Sequence, residues 1–217
     1  MSAREFLSLS LVTFTGIFAV VDPFTALPVF LTITRSNTEL ERRRMARRAS
    51  VAALFILLAF ALAGGLLFKF FGVTLAAFKI AGGLLLLLMA IDMLRAQPSR
   101  ARSSPEETAE GAQKDDVAIF PLATPLLAGP GSIATTMVFI GRATAWWQTL
   151  PVLLAIVLTC FIAYWLLRSA SLIDRWLGQT GMNVLNRIMG LILAAIAIQF
   201  ILDGFRSSFP QALGPAT

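Results

Sequence analysis

Six long apolar runs constrain this chain more than any other feature of its sequence. They cover residues 6–33, 51–71, 75–94, 117–140, 150–167 and 184–202. A run of roughly 18 residues or more, wound as a helix, is long enough to cross the hydrocarbon core of a bilayer. Inside that core the backbone must satisfy its own polar groups, so spans of this kind are helical. Only 14% of the 217 residues are charged and 57% are hydrophobic, against about 25% and 45–50% in an ordinary soluble domain. The expectation is an all-α membrane protein with six transmembrane helices. Six spans of about 20 residues use roughly 120 residues, which leaves short loops and no second domain. A soluble enzyme, a DNA-binding module and a disulfide scaffold are excluded as classes.

The counts of single residue types narrow the chemistry. There is no histidine, so His triads, His bases and imidazole metal sites are absent. The single cysteine, Cys160, lies inside an apolar run and makes no internal disulfide or Cys-pair metal motif. The net charge of +6 does not point to nucleic acid, because the basic residues gather between apolar runs, as in the cytoplasmic loops of membrane proteins. Thirteen of them fall on one side: Arg35, Arg42, Arg43, Arg44, Arg47, Arg48, Arg95, Arg100, Arg102, Lys114, Arg168, Arg175 and Arg187. Five fall on the other: Arg4, Lys69, Lys79, Arg142 and Arg206. The richer side is expected in the cytoplasm and both termini outside it. Residues 97–116, rich in Ser, Pro, Glu and Ala, read as a flexible cytoplasmic linker between two three-helix units, 1–96 and 117–217.

The two units match weakly at a constant offset. Asp22-Pro23-Phe24-Thr25 precedes Gly129-Pro130-Gly131-Ser132 by 107 positions, and Lys79-Ile80-Ala81-Gly82 precedes Arg187-Ile188-Met189-Gly190 by 108. Three spans is an odd number, so the second unit enters the membrane from the opposite side. This is the pattern of an inverted repeat, a recurrent transporter architecture with its substrate site near the midplane.

Five of the ten prolines, Pro23, Pro28, Pro121, Pro125 and Pro130, fall in the first and fourth runs. Proline removes an amide donor and clashes with the preceding turn, so these two helices are expected to be discontinuous. Paired interruptions in corresponding segments are the best sequence pointer to a transporter site. The half-helix N-termini that result present bare N–H groups suited to a carboxylate. Thr25 and Ser132 sit just past the breaks, where a hydroxyl can cap the helix or touch a ligand. Prolines that merely kink ordinary packing helices would leave the same trace. Asp22 lies deep in an apolar run, and intramembrane acids are costly and usually functional. It could hold Na⁺, accept a proton or bind an ammonium group. It also suits the cap of a half-helix that begins at Pro23. The candidate substrate site is therefore Asp22, Pro23, Thr25, Pro28, Gly129, Pro130, Gly131 and Ser132, with Gln199 of the sixth run as an interhelical hydrogen-bond partner. No cofactor and no resident metal is implied, apart from a coupling ion, Na⁺ or H⁺, at Asp22. Asp92 and Asp203 lie near span ends, and the Gly64-Gly65 and Gly82-Gly83 pairs suit close helix packing.

Asp22-Pro23 followed by Pro28, the stretch Pro125-Leu126-Leu127-Ala128-Gly129-Pro130-Gly131-Ser132, and Arg187-Ile188-Met189-Gly190 leading to Gln199-Phe200-Ile201-Leu202-Asp203-Gly204 resemble the MarC family of bacterial inner-membrane proteins along essentially the whole chain. The resemblance implies six spans with both termini periplasmic. It also brings in the SnatA-like members, which transport small neutral amino acids such as glycine and alanine. The leading expectation is thus a secondary transporter of small neutral amino acids and not an enzyme. The chain contains no nucleotide-binding loop, no Gly-x-Ser-x-Gly elbow and no His-Glu-x-x-His. An exporter of another small solute or a metal ion on the same fold, and a non-transporting membrane partner, are the alternatives. The expected partners are the amino-acid substrate and membrane lipid.

Overall fold

The computed structural model describes residues 3–35, 37–97, 118–143 and 146–209. The linker expected over 97–116 and the C-terminal end therefore lie almost wholly outside the described residues. The helices, in chain order, are α1 (Ala3–Val21), α2 (Pro23–Ile33), α3 (Glu39–Phe71), α4 (Leu75–Leu94), a π-helical segment (Ala118–Leu127), α5 (Pro130–Gly141), a short 3-10 turn (Trp146–Gln148), α6 (Thr149–Arg168) and α7 (Ala170–Ser208). No strand occurs among the described residues.

Local chemistry sets the boundaries. Thr38 and Glu41 form a reciprocal capping box, in which the Thr38 amide donates to Glu41 Oε2 at 2.8 Å and the Glu41 amide donates to the Thr38 hydroxyl at 3.4 Å. This box starts α3 at Glu39 rather than at Val51. The Arg42–Arg48 stretch, expected in a loop, therefore forms the first turns of a 33-residue helix. Gly72, in the left-handed region, ends α3, and the Thr74 hydroxyl caps α4 by accepting from the Ala77 amide at 3.1 Å. α7 is bent at Gly178 (φ 58°, ψ −177°), a conformation open essentially to glycine alone.

Among the described residues, five helical stretches are long and apolar enough to cross a membrane: residues 4–33 taken together, α3, α4, α6 and the part of α7 from Thr180 to Ser208. The fourth expected span is not among them, because it is divided into the ten-residue π-helical segment and the twelve-residue α5.

α3 turns mostly small residues inward and large apolar ones outward. On α3, Ala46, Ala49, Ala53, Leu57 and Ala61 are buried at helical spacing, while Leu62, Leu66 and Phe70 are 73%, 71% and 83% exposed. A soluble helix buries its large side chains. Small inward residues let helices approach closely where lipid covers the outside. Two apolar cores result. One joins α1, α2, α3, the π-helical segment, α6 and the N-terminal part of α7; the other joins α1, α4, α5 and the later part of α7. Each core mixes residues from both three-helix units. α4 and α7 form the most extensive helix pair. A Cβ on Gly83 would stand 2.7 Å from the Ala197 carbonyl oxygen, so the two backbones meet there without room for a side chain.

Candidate functional site

The first break is a single residue. Asp22 follows α1 in the left-handed region (φ 44°, ψ 69°), and α2 starts at once with Pro23 at its first position. Asp is one of the few non-glycine residues that tolerate this conformation, and proline is preorganised for the first helical turn. The Asp22 amide still closes the last turn of α1 on the Phe18 carbonyl at 2.9 Å. Its side chain is fully buried and makes no capping bond to the backbone of α2. Instead the Thr25 hydroxyl donates to Asp22 Oδ2. Asp22 therefore holds the cap position without using its carboxylate as a cap, and the Thr25 hydroxyl, expected to cap the helix or touch a ligand, bonds the carboxylate instead.

The second break is longer. Pro121 and Pro125 lie within the π-helical segment, which closes with the Ala128 amide donating to the Ala123 carbonyl at 2.8 Å. Gly129 is then extended (φ −81°, ψ 174°), and α5 begins with Pro130. A Cβ on Gly129 would collide with the Pro125 carbonyl oxygen, so the tight path of this break requires glycine. The amides of Gly131 and Ser132 fall in the first turn of α5, where a helix supplies no partner for them, and both residues are buried. The side of Gly131 that lacks a Cβ faces Leu86 and Met89 of α4. The missing side chain thus leaves room for packing against α4.

Both breaks open onto the same apolar core. Val21, Ala26 and Leu27 from around the first join Leu127 and Ala128 from the second in one cluster, and α2 touches the π-helical segment while α1 touches α5. Asp22 is 0% and Ser132 3% exposed, so both are enclosed by the packed helices, while Pro130 at the second break is exposed. Pro28, inside α2, lines a cleft of about 450 Å³ towards the Arg-rich end. Pro125, Ala128 and Pro130 line a crevice of about 470 Å³ against Phe78, Gly82 and Leu85 of α4.

Gln199 lies elsewhere. It is exposed on α7, and its Nε2 donates to Asp203 Oδ1 at 2.8 Å. Asp203 Oδ2 accepts from Arg142 at 2.6 Å, the Arg142 guanidinium lies 5.6 and 5.5 Å from the Phe139 and Phe200 ring centres, and Lys79 Nζ donates to Ser207 Oγ at 3.5 Å. The buried face of α7 follows Leu193, Ala197 and Phe200. Gln199 is one residue, or about 100°, off that face, which removes it from the breaks and ties it to this end cluster.

Four buried hydroxyls were not singled out from the sequence. Ser50, Thr135, Thr136 and Thr159 have no hydrogen-bond partner among the described residues. Thr135 and Thr136 lie one turn past Ser132 on α5, so consecutive hydroxyls in the half-helix beyond a Gly-Pro break were the legible signal. Among the described residues no group of three or more Cys, Asp or Glu is placed to hold a metal ion.

Lipid-facing helices around two interrupted ones define an integral, multi-pass α-helical membrane protein. Residues 7–209 match the MarC family of integral membrane proteins, and the chain belongs to that family. It is 47% identical over 199 residues to a UPF0056 membrane protein of Methanocaldococcus jannaschii, covering 91% of this chain and 96% of the relative. It is 36% identical to the UPF0056 membrane protein YvbG of Bacillus subtilis (91% and 94% covered) and 34% identical to YhcE of Escherichia coli (92% and 93%). The relatives thus span archaea and bacteria, beyond the bacterial setting that the sequence resemblance carried. No solved structure matches the chain.

Proposed function

We propose that this protein is a secondary transporter of small neutral amino acids such as glycine and alanine, working in the inner membrane. It crosses six times as two inverted three-helix repeats, with both termini outside the cytoplasm. The observation that carries this reading is the pair of interrupted helices: a fully buried Asp22 at one break and the uncapped first turn of α5 at the other, joined through one core. A zwitterion needs partners of both signs. Bare amides at Gly131 and Ser132 suit a carboxylate, and Asp22 suits an ammonium group or a coupling Na⁺ or H⁺. The close packing that buries Asp22 and Ser132 fits an occluded state of an alternating-access cycle.

The same close packing also supports a second reading, a membrane partner that transports nothing. An exporter of another small solute or of a metal ion ranks below both, since Asp22 is a lone acid at the breaks. Counterflow in proteoliposomes against a panel of amino acids tests the proposal. Saturable exchange of glycine or alanine is expected. A folded, reconstituted protein that exchanges no member of the panel would overturn the transport reading.

A further inference from the structure

At the Arg-rich end, two adjoining clefts lie between the α2–α3 connection and the α6–α7 connection. The larger, about 450 Å³, has an apolar floor of Leu27, Pro28 and Leu31 beneath a rim carrying Arg35, Arg42 and Arg175. Asp174 is the one carboxylate lining it. The smaller, about 240 Å³, shares Arg42 and Ser171 with it and adds Arg43 and Arg168 against Glu39. Five guanidinium groups thus face two carboxylates.

The wall of this double cleft is built in place. Arg42 Nε donates to the Thr34 carbonyl at 2.9 Å, one terminal nitrogen donates to the Arg35 carbonyl at 3.2 Å, and the other to Ser171 Oγ at 3.2 Å. One side chain so ties the end of α2 to the start of α7 and holds its charge at the shared boundary. Arg43 is committed to Glu39 at 3.2 Å. The guanidinium groups of Arg35 and Arg175 make no hydrogen bond or ion pair with another described residue, and Asp174 pairs with neither. Two uncompensated cations therefore border an apolar floor.

Aromatic residues fix the depth. The Arg168 guanidinium sits 4.9 Å from the Trp165 ring centre and donates to the Tyr164 hydroxyl at 3.3 Å, and Trp176, on the α7 arm that Gly178 bends, is 85% exposed. Trp and Tyr gather where hydrocarbon meets head groups. A basic pocket between helices at that level, cationic above and apolar below, has the profile of an anionic amphiphile. Guanidinium forks match phosphate oxygens two at a time.

We infer that the cleft between α2, α3 and α7 binds a phosphate-bearing anion through Arg35, Arg42 and Arg175, with the apolar floor taking the adjoining carbon chain. This needs membrane insertion only, so it stands or falls apart from the transport reading. Phosphate of this kind comes from an anionic lipid head group or from a soluble phosphomonoester, and two probes separate the sources. The full chain is placed in bilayers of phosphatidylglycerol and phosphatidylethanolamine, and retained lipid is read by native mass spectrometry. In parallel the protein in neutral detergent is titrated with glycerol 1-phosphate and its thermal midpoint followed. Selective retention of phosphatidylglycerol assigns the lipid, and a saturable shift with glycerol 1-phosphate alone assigns the soluble anion. Arg35→Gln with Arg175→Gln should weaken the active probe about thirtyfold, the worth of two interfacial arginines. Arg44→Gln with Arg47→Gln removes the same charge from exposed positions of α3 outside the cleft and should leave binding nearly unchanged. Equal losses in both pairs would reduce the effect to surface charge and overturn the site. So would the absence of either response in the wild-type protein, a result that depends on no variant folding.

Discussion

Asp22 combines two demands that can be separated by substitution. Its backbone is left-handed and its carboxylate is buried against the Thr25 hydroxyl. Asn tolerates the same backbone and keeps a hydrogen-bond acceptor, so Asp22→Asn should fold with an almost unchanged thermal midpoint while losing ion-coupled uptake. If Asp22→Asn exchanges glycine or alanine like the wild type, with the same Na⁺ and pH dependence, the residue shapes the break and carries no charge role. Asp22→Ala additionally places a poorly tolerated residue in the left-handed region, at roughly 1–2 kcal/mol, and should lower the midpoint in detergent. At the other break, Gly129→Ala forces a methyl group onto the Pro125 carbonyl. Overpacking of this kind costs roughly 1–3 kcal/mol, and a thermal melt against wild type reads it directly. The two breaks, at Asp22-Pro23 and at Gly129-Pro130, were legible because proline interrupts the helix ladder. The packing of Gly131 was not, since only the folded structure brings Leu86 and Met89 against it.

Among the elements, α4 and α7 depend on near contact of backbones. Gly83→Ala should loosen this pair and lower the thermal midpoint, because Ala197 O and Ile201 Cγ1 both lie 2.7 Å from the new methyl. Gly65→Ala offers an internal comparison. Nothing lies within 4 Å of that position, so helix propensity should raise stability by up to about 1 kcal/mol. Equal responses from the two would mean that α4 and α7 do not meet as described. The sequence offered the Gly64-Gly65 and Gly82-Gly83 pairs as equivalent packing sites, and only their neighbours distinguish them. The upstream start of α3 has a similar origin: hydrophobicity marks where the membrane begins, whereas the Thr38–Glu41 box marks where the helix begins.

For the molecule as a whole, the proposed orientation rests on the distribution of basic residues and is open to labelling. Cys160 is the only cysteine and is 4% exposed, so a membrane-impermeant maleimide should leave the parent chain unmodified. Val73→Cys, between α3 and α4, should react in intact cells, and Arg44→Cys, at the opposite end of α3, only after permeabilisation. The reverse pattern would invert the proposed topology and place the phosphate cleft on the outer face. Both apolar cores draw on helices from either side of residues 98–117, so the first and second halves of the described chain share their packing.

Membrane residence, helical class and the positions of the two breaks were determined by the sequence alone, because each depends on local quantities: run length against bilayer thickness, and proline against the helix ladder. Tertiary structure decided which polar groups those breaks collect. The rotation of α7 about its axis took Gln199 to an end cluster with Asp203 and Arg142, and the packing of α5 buried Thr135 and Thr136 along with Ser132. It also brought Arg35, Arg42 and Arg175, up to 140 positions apart in the chain, onto one cleft. Periodicity records that a helix has an inner face, but the partner that face meets is set by contacts between distant segments, which no local pattern encodes.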